Sequence, residues 1–269
     1  MPNIPASVVV VSDIHGVKVD RKAWSVALQI IEFIGPEEVW NLGDSLDLCS
    51  LNRHEAAPED AGIDVADEFA NGRRLNDDVR IVHEAGWRRR TGGGPRRARR
   101  LRRRFFQGNH EYRFLRALQD PSLRKWKTSL PRDVCDPAAL NLEATGWDYI
   151  DRERQEPYMV GQLGVFHGHW YNQHHASKHL LELGCDVLYG HTHRPQQVSK
   201  RSARLGSITA TAAPCLRTLD REWEHMKKAA FAGWSHGVTV VTFAGDRPFA
   251  QNVIIEDGRS GYAGVEFKA

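Results

Sequence analysis

The stretch Ser7-Val8-Val9-Val10-Val11-Ser12-Asp13-Ile14-His15-Gly16 decides how this chain folds. Four successive valines give no in-out alternation, so they predict a strand buried on both faces. The strand runs into a loop carrying Asp13 and His15, two residues apart. At an extended strand end, that spacing lets both side chains point the same way. Asp20 to Ile34 follows with Trp24, Ala27, Leu28, Ile31 and Ile34 at helical spacing. Asp20 is a suitable N-cap and Gly35-Pro36 a stop. Glu38 to Leu42 predicts a second short strand, delivering Gly43-Asp44-Ser45-Leu46-Asp47. The opening is thus β-α-β, and parallel α/β sheets place their sites at the carboxyl ends of strands.

Working outward, Leu48 to Leu101 is polar and mostly helical in pattern. Val65, Phe69, Leu75, Val79 and Val82 recur at roughly helical spacing until Thr91-Gly92-Gly93-Gly94-Pro95 breaks the helix. Arg104 to Gln107 predicts a strand ending in Gly108-Asn109-His110-Glu111, and helix resumes over Tyr112 to Leu118. Pro121 to Tyr149 has no clear pattern and reads as an accessory segment. Leu163 to Phe166 predicts a strand ending in His167-Gly168-His169. A helix over His174 to Leu183 stops at Gly184, and a strand over Asp186 to Tyr189 ends in Gly190-His191-Thr192-His193. The remainder is strand-rich, over Ser207–Ala212, Val238–Phe243 and Asn252–Glu256.

Bulk composition bounds the class. The chain has 269 residues, 41% of them hydrophobic and 26% charged, which suits one sizeable α/β domain. The expectation is a single domain over 1–269, with a helical, arginine-rich insertion at about 48–104 and an accessory segment at about 119–150. No run of eighteen apolar residues is present, so no membrane partner is expected. The N-terminal segment lacks the features of a signal peptide. Cys49, Cys135, Cys185 and Cys215 show no CxxC spacing and read as reduced, partly buried thiols, which fits a cytoplasmic protein. The sequence is silent on oligomeric state.

Five strand ends carry potential metal ligands: Asp13 and His15, Asp44, Asn109, His167, and His191 with His193. Carboxylate, amide oxygen and imidazole together suit borderline divalent metals such as Mn, Fe, Co, Ni or Zn. No thiolate is among them, which argues against a structural zinc site. The ordered series DxH, GDxxD, GNHE, HGH and GHTH resembles the calcineurin-like metallophosphoesterase superfamily, in its compact bacterial and phage-type form. It is less similar to the protein Ser/Thr phosphatases, where Arg-Gly follows GDxxD; here Leu48-Cys49 stands there.

That resemblance implies a four-layer α/β/β/α sandwich with two mixed β-sheets and a helical insertion after the second strand. It implies two divalent metal ions, manganese favoured, with Asp13, His15 and His193 on the first. Asn109, His167 and His191 would hold the second, and Asp44 would bridge both. His110 would be a general acid rather than a ligand, and Asp47 would hydrogen-bond it and set its tautomer. The implied activity is hydrolysis of phosphate esters, phosphodiesters favoured, by a hydroxide bridging the ions. Phosphomonoester hydrolysis, of a nucleotide or phosphoprotein, is the alternative, since both chemistries use one metal core. A scaffold that merely kept the fold would be expected to have lost ligands, and every expected position is filled.

Other residues are candidates for substrate contact. Asn52, Arg53 and His54 follow GDxxD, and Arg113 follows GNHE. His169 neighbours the ligand histidine, and Trp170, Tyr171, His174 and His175 read either as a substrate wall or as helix-start packing. Trp223 and Trp234 read as core or tail packing, and His225 and His236 as structural. Arg88 to Arg104 contains ten arginines and no acid. It could bind a nucleic acid backbone, or be a solvated loop feeding the next strand. Because it precedes that strand, it is expected at the pole opposite the metals.

Overall fold

A computed structural model describes residues 4–49, 63–92, 101–119, 140, 142, 145–151, 156–203, 206–219 and 233–269. Asn52, Arg53, His54, Trp223 and His225 lie outside the described residues, as does most of the accessory segment.

The valine run forms β1 (Ser7–Val11), with β2 (Glu38–Asn41) and β3 (Arg102–Phe106) parallel to it. β4 (Trp147–Ile150) continues the parallel run beyond β3. On the other side β10 (His236–Ala244) and β11 (Arg247–Ile255) add antiparallel, giving the order β11-β10-β1-β2-β3-β4. A second mixed sheet takes the order β5-β6-β7-β9-β8. It comprises β5 (Tyr158–Val160), β6 (Leu163–Val165), β7 (Asp186–Tyr189), β8 (Gln196–Ser202) and β9 (Gly206–Ala212). A hairpin of β12 (Arg259–Tyr262) and β13 (Val265–Lys268) completes the strands among the described residues.

Period-two alternation explains the layering. Val9 and Val11 pack with Trp24, Ile30 and Ile31 of α1 (Arg21–Ile34) and with Phe69 and Val79 of α2 (Val65–Thr91). Val8 and Val10 face the other way, against Val165 and Leu188 of the second sheet. That sheet's outer face, with Val187, Tyr189 and Ala210, packs on Ala176 and Leu180 of the fourth helix, α4 (His175–Leu183). The result is a four-layer α/β/β/α sandwich with two mixed sheets, the architecture expected from the sequence. Asp20 caps α1 by accepting from the Ala23 amide at 2.8 Å, and Gly35 ends it in a left-handed conformation. Asp64 and Gly92 do the same for α2.

Two expectations change. Asn109 and His110 do not prolong strand β3. They open α3 (Asn109–Gln119), so the site receives a helix N-terminus there. Arg96, Arg97, Arg99 and Arg100 lie outside the described residues, and the described arginines of the run are less exposed in charge than the composition implies. Arg88 and Arg103 pair with Glu84, Arg89 with Glu32, and buried Arg104 with Glu38 at 3.0 Å. Arg90 stacks over Trp87. The neutralising acids lie on α1, β2 and α2, so a count within the run misses them.

Candidate metal centre

All five ligand-bearing segments meet at one end of the sandwich. The loops after β1 and β2 are laced by backbone bonds from Asp13 N–H to Gly43 C=O (3.1 Å) and from His15 N–H to Asp44 C=O (2.9 Å). Asp13, His15, Asp44, His191 and His193 all have positive φ, between 49° and 69°. Left-handed backbone is uncommon for residues with a Cβ, and such strain clusters where function holds it. Two glycines are required by close approach. A Cβ on Gly108 would lie 2.1 Å from Asp44 Oδ1, and one on Gly190 would lie 2.0 Å from Ser12 Oγ.

The donors form two clusters. In the first, His193 Nε2 lies 3.2 Å from Asp13 Oδ1 and 3.1 Å from His15 Nε2. In the second, His167 Nε2 lies 3.2 Å from Asp44 Oδ2 and 3.0 Å from Asn109 Oδ1, and His191 joins Asp44 and His167 within 4.8 Å. The remaining atoms of these residues are fixed from behind. His15 Nδ1 must donate to the Asp47 carboxylate (2.8 Å) and His167 Nδ1 to the Leu42 carbonyl (2.8 Å), since both partners only accept. This leaves each Nε2 facing the cluster, as a metal-binding imidazole needs. Asp13 is held by Ser12 Oγ (2.5 Å) and the His191 amide (2.9 Å). His193 Nδ1 is buried with no hydrogen-bond partner among the described residues. Two converging, water-poor sets of carboxylate, amide and imidazole donors fit two borderline divalent cations.

Electrostatics points the same way. Burial would raise the carboxyls of Asp13 and Asp44, but His193 beside the first and His110 and His167 beside the second outweigh it, so both stay below the usual range. Burial drops His15 to about 3 and His191 to about 3, so both are neutral and their lone pairs are available. His167 behaves oppositely. Burial alone would lower it, but Asp44 prevails and lifts it to about 9. A cation in that cluster therefore replaces a proton.

His110 stands at the margin of both clusters, with Nε2 3.7 Å from Asp44 Oδ2. Its Nδ1 donates to the Asp47 main-chain carbonyl at 2.7 Å, while the Asp47 carboxylate reaches that nitrogen only at 3.3 Å. The carboxylate is instead a hub. Besides His15 it receives Cys49 Sγ (2.9 Å) and Lys18 Nζ (3.2 Å), with Arg217 Nη1 at 4.0 Å. The expected hydrogen-bonding of His110 by Asp47 thus runs mainly through the backbone. Burial lowers the affinity of His110 for a proton, yet nearby Asp44 and Asp47 outweigh it and raise its pKa.

Several site residues escape a reading of the sequence. Glu111 accepts from the amides of Asp44 (2.9 Å), Ser45 (2.8 Å), Leu46 (3.1 Å) and Gly108 (2.9 Å), clamping the loop that presents Asp44 to the start of α3. Glu68 accepts from Leu48 and from Cys49 (3.1 Å), holding the segment after Asp47. Trp234 packs on the His193 ring, with centroids 4.2 Å apart, rather than in a remote tail. Of the substrate candidates, Arg113 sends Nη1 to the Asp47 carbonyl (3.2 Å) and so borders His110. His169 packs on Phe166 and lines a shallow cleft beside His167, with Phe106, Tyr158 and Glu156. Tyr171 stands beside His191, with ring centroids 6.2 Å apart.

No protein-family model matches this chain, and no curated protein does. Among solved structures it is similar to vacuolar protein sorting 29 of Entamoeba histolytica. That likeness has 12% identity and a TM-score of 0.46, over 97% of this chain and 99% of that one. It is also similar to the nuclease MPE of Pseudomonas putida, at 16% identity and a TM-score of 0.34, over 91% and 87%. A Streptococcus pneumoniae protein described as a predicted phosphoesterase matches at 12% identity and a TM-score of 0.36, over 99% of both chains. At such distances none of these assigns an activity, which rests on the site's own geometry.

Proposed function

We propose that this chain, which has the calcineurin-like metallophosphoesterase fold, is a dinuclear metal-dependent phosphoesterase. The observation that carries the reading is the convergence of Asp13, His15 and His193, and of Asn109, His167 and His191, on either side of Asp44. Five of these seven are held in left-handed backbone. When bound, two divalent cations would supply Lewis-acid charge neutralisation and an activated water. Manganese is the first choice for reconstitution, with Fe, Zn, Ni or Co as other metals that the donors suit.

The chain's own residues then do the rest. Asp44 has one oxygen, Oδ1, occupied by the His110 amide at 2.9 Å, and turns Oδ2 to the centre. His15 and His167 are oriented by Asp47 and by the Leu42 carbonyl, so their ligand nitrogens need no reorganisation. His110 is anchored through Nδ1, which leaves Nε2 for the site, and Asp44 and Asp47 raise its pKa above the ordinary imidazole value, which favours the protonated form. It donates that proton to the leaving oxygen. Arg113 borders the same position and adds positive charge for a phosphoryl group.

The phosphodiester preference is tested with a panel of p-nitrophenyl phosphate, bis-p-nitrophenyl phosphate, cyclic nucleotides and oligonucleotides after manganese loading. Turnover of diesters above monoesters is expected. Metal binding without turnover of any substrate would overturn the enzymatic reading. Nucleic-acid binding through Arg88–Arg104 as the main role gains no support from the described arginines, which are mostly engaged by Glu32, Glu38 and Glu84. Oligonucleotide binding with a steep salt dependence but no hydrolysis would restore it.

A further inference from the structure

Two aromatic side chains flank the His191-Thr192-His193 segment, and the mechanism above uses neither. Tyr171 lies beside His191, with ring centroids 6.2 Å apart and planes at 72°. Its side is open to solvent, the residue being 74% exposed, the highest value among the exposed large hydrophobic residues described. Trp234 lies beside His193 at 4.2 Å and is half-buried. A single exposed aromatic is ordinary; what sets Tyr171 apart is that it borders a histidine proposed as a metal ligand.

Arg194 makes this arrangement firm. Its Nη2 donates to the main-chain carbonyls of Tyr171 (2.5 Å) and Asn172 (3.4 Å). Its stem packs on the other segment, since a Cβ on Gly233 would lie 3.0 Å from Arg194 Cδ. Ser235 N–H is in turn bonded to the His193 carbonyl at 3.1 Å. One arginine therefore ties the backbone of Tyr171 to the segment of Trp234, immediately after the ligand pair. Both rings thus border His191 and His193, the histidines proposed as ligands of the two cations. A planar group esterified to a phosphate held there is what such rings can stack on.

We propose that Tyr171, with Trp234, is a stacking platform for a nucleobase, so that the esters hydrolysed are those of nucleotides. This deepens the phosphoesterase reading and rests on it for turnover, though not for binding. Stacking is tolerant of base identity, because every base presents a π-face. The platform therefore specifies nucleotides over alkyl or sugar phosphates without specifying a sequence.

The experiment compares two diesters with one leaving group, thymidine 5′-(p-nitrophenyl phosphate) and methyl p-nitrophenyl phosphate. In both, water adds to phosphorus, the aryl P–O bond breaks, and p-nitrophenol leaves with a phosphomonoester. With manganese-loaded protein, Tyr171→Ala should lower kcat/KM for the thymidine ester about tenfold, mostly through KM, and leave the methyl ester unchanged. Tyr171→Phe keeps the π-face and should restore the thymidine ester. Equal loss on both esters, or no loss on either, would overturn the platform while leaving the phosphoesterase reading intact. If neither ester is hydrolysed, that reading fails on these diesters. Calorimetric binding of thymidine 5′-monophosphate then decides: a weaker Kd in Tyr171→Ala upholds the platform, and an unchanged Kd removes it.

Discussion

Replacing Glu111 by glutamine separates two halves of one buried carboxylate. Oε1 accepts from Ser45 and Leu46, and Oε2 accepts from Asp44 and Gly108. A glutamine of nearly equal size keeps one carbonyl oxygen and so can keep two of these four bonds. Its NH2 group must face the other two amides, donor against donor. Hydrogen bonds to a charged group contribute about 1.5–3 kcal/mol each, so Glu111→Gln should lose roughly 3–6 kcal/mol. That is a large share of the roughly 5–15 kcal/mol by which native domains are stable. Urea unfolding of chelated protein reads the loss as a lower midpoint at unchanged slope. The same variant should bind manganese more weakly, because the Asp44 loop loses its tether to α3. A loss under about 1 kcal/mol would refute the clamp, since stranding buried donors is not that mild.

Other outcomes follow from the same geometry. His110→Ala should keep metal binding and slow alkyl leaving groups about 10²–10⁴-fold, against a much smaller effect on p-nitrophenyl esters. Equal loss on both would contradict the acid role. In metal-free protein, His167 is raised to about 9 by Asp44 from an unfolded value of 6.5. Its pairing therefore contributes stability that is fully present below pH 6.5 and is lost as pH rises through about 9. Chelated protein should melt at lower temperature at pH 9.5 than at pH 6.5, and His167→Ala should flatten that dependence. Manganese binding at pH 7 should also release a proton, measurable as a buffer-dependent calorimetric enthalpy.

What the sequence made legible was local. The valine run, the Asp20 and Gly35 caps and the alternation of buried faces are set by neighbours within a few residues, so the opening β-α-β could be read directly. The ligand motifs were equally plain, because each sits where an apolar run stops. Contacts spanning long separations were not legible. Glu111 closes the GNHE motif, but that motif does not show that it binds amides more than sixty residues away, at Asp44, Ser45 and Leu46. Trp234 meets His193 only because β7 ends and β10 begins at the same pole of the sandwich. The arginine run looked unbalanced for the same reason, its acids lying on α1, β2 and α2. Strand β8 went unread because Gln196–Ser202 is polar and carries no strong alternation. Asn109 was expected at a strand end because the sequence does not mark that α3 starts only three residues after β3.

Titrating chelated protein with manganese in a calorimeter tests directly, without any substrate, whether two cations share Asp44. Two manganese ions per chain are expected for the wild type, with Asp44→Ala losing both tight sites and all metal-dependent turnover. A single ion per chain in the wild type, or full occupancy and turnover in Asp44→Ala, would contradict that sharing.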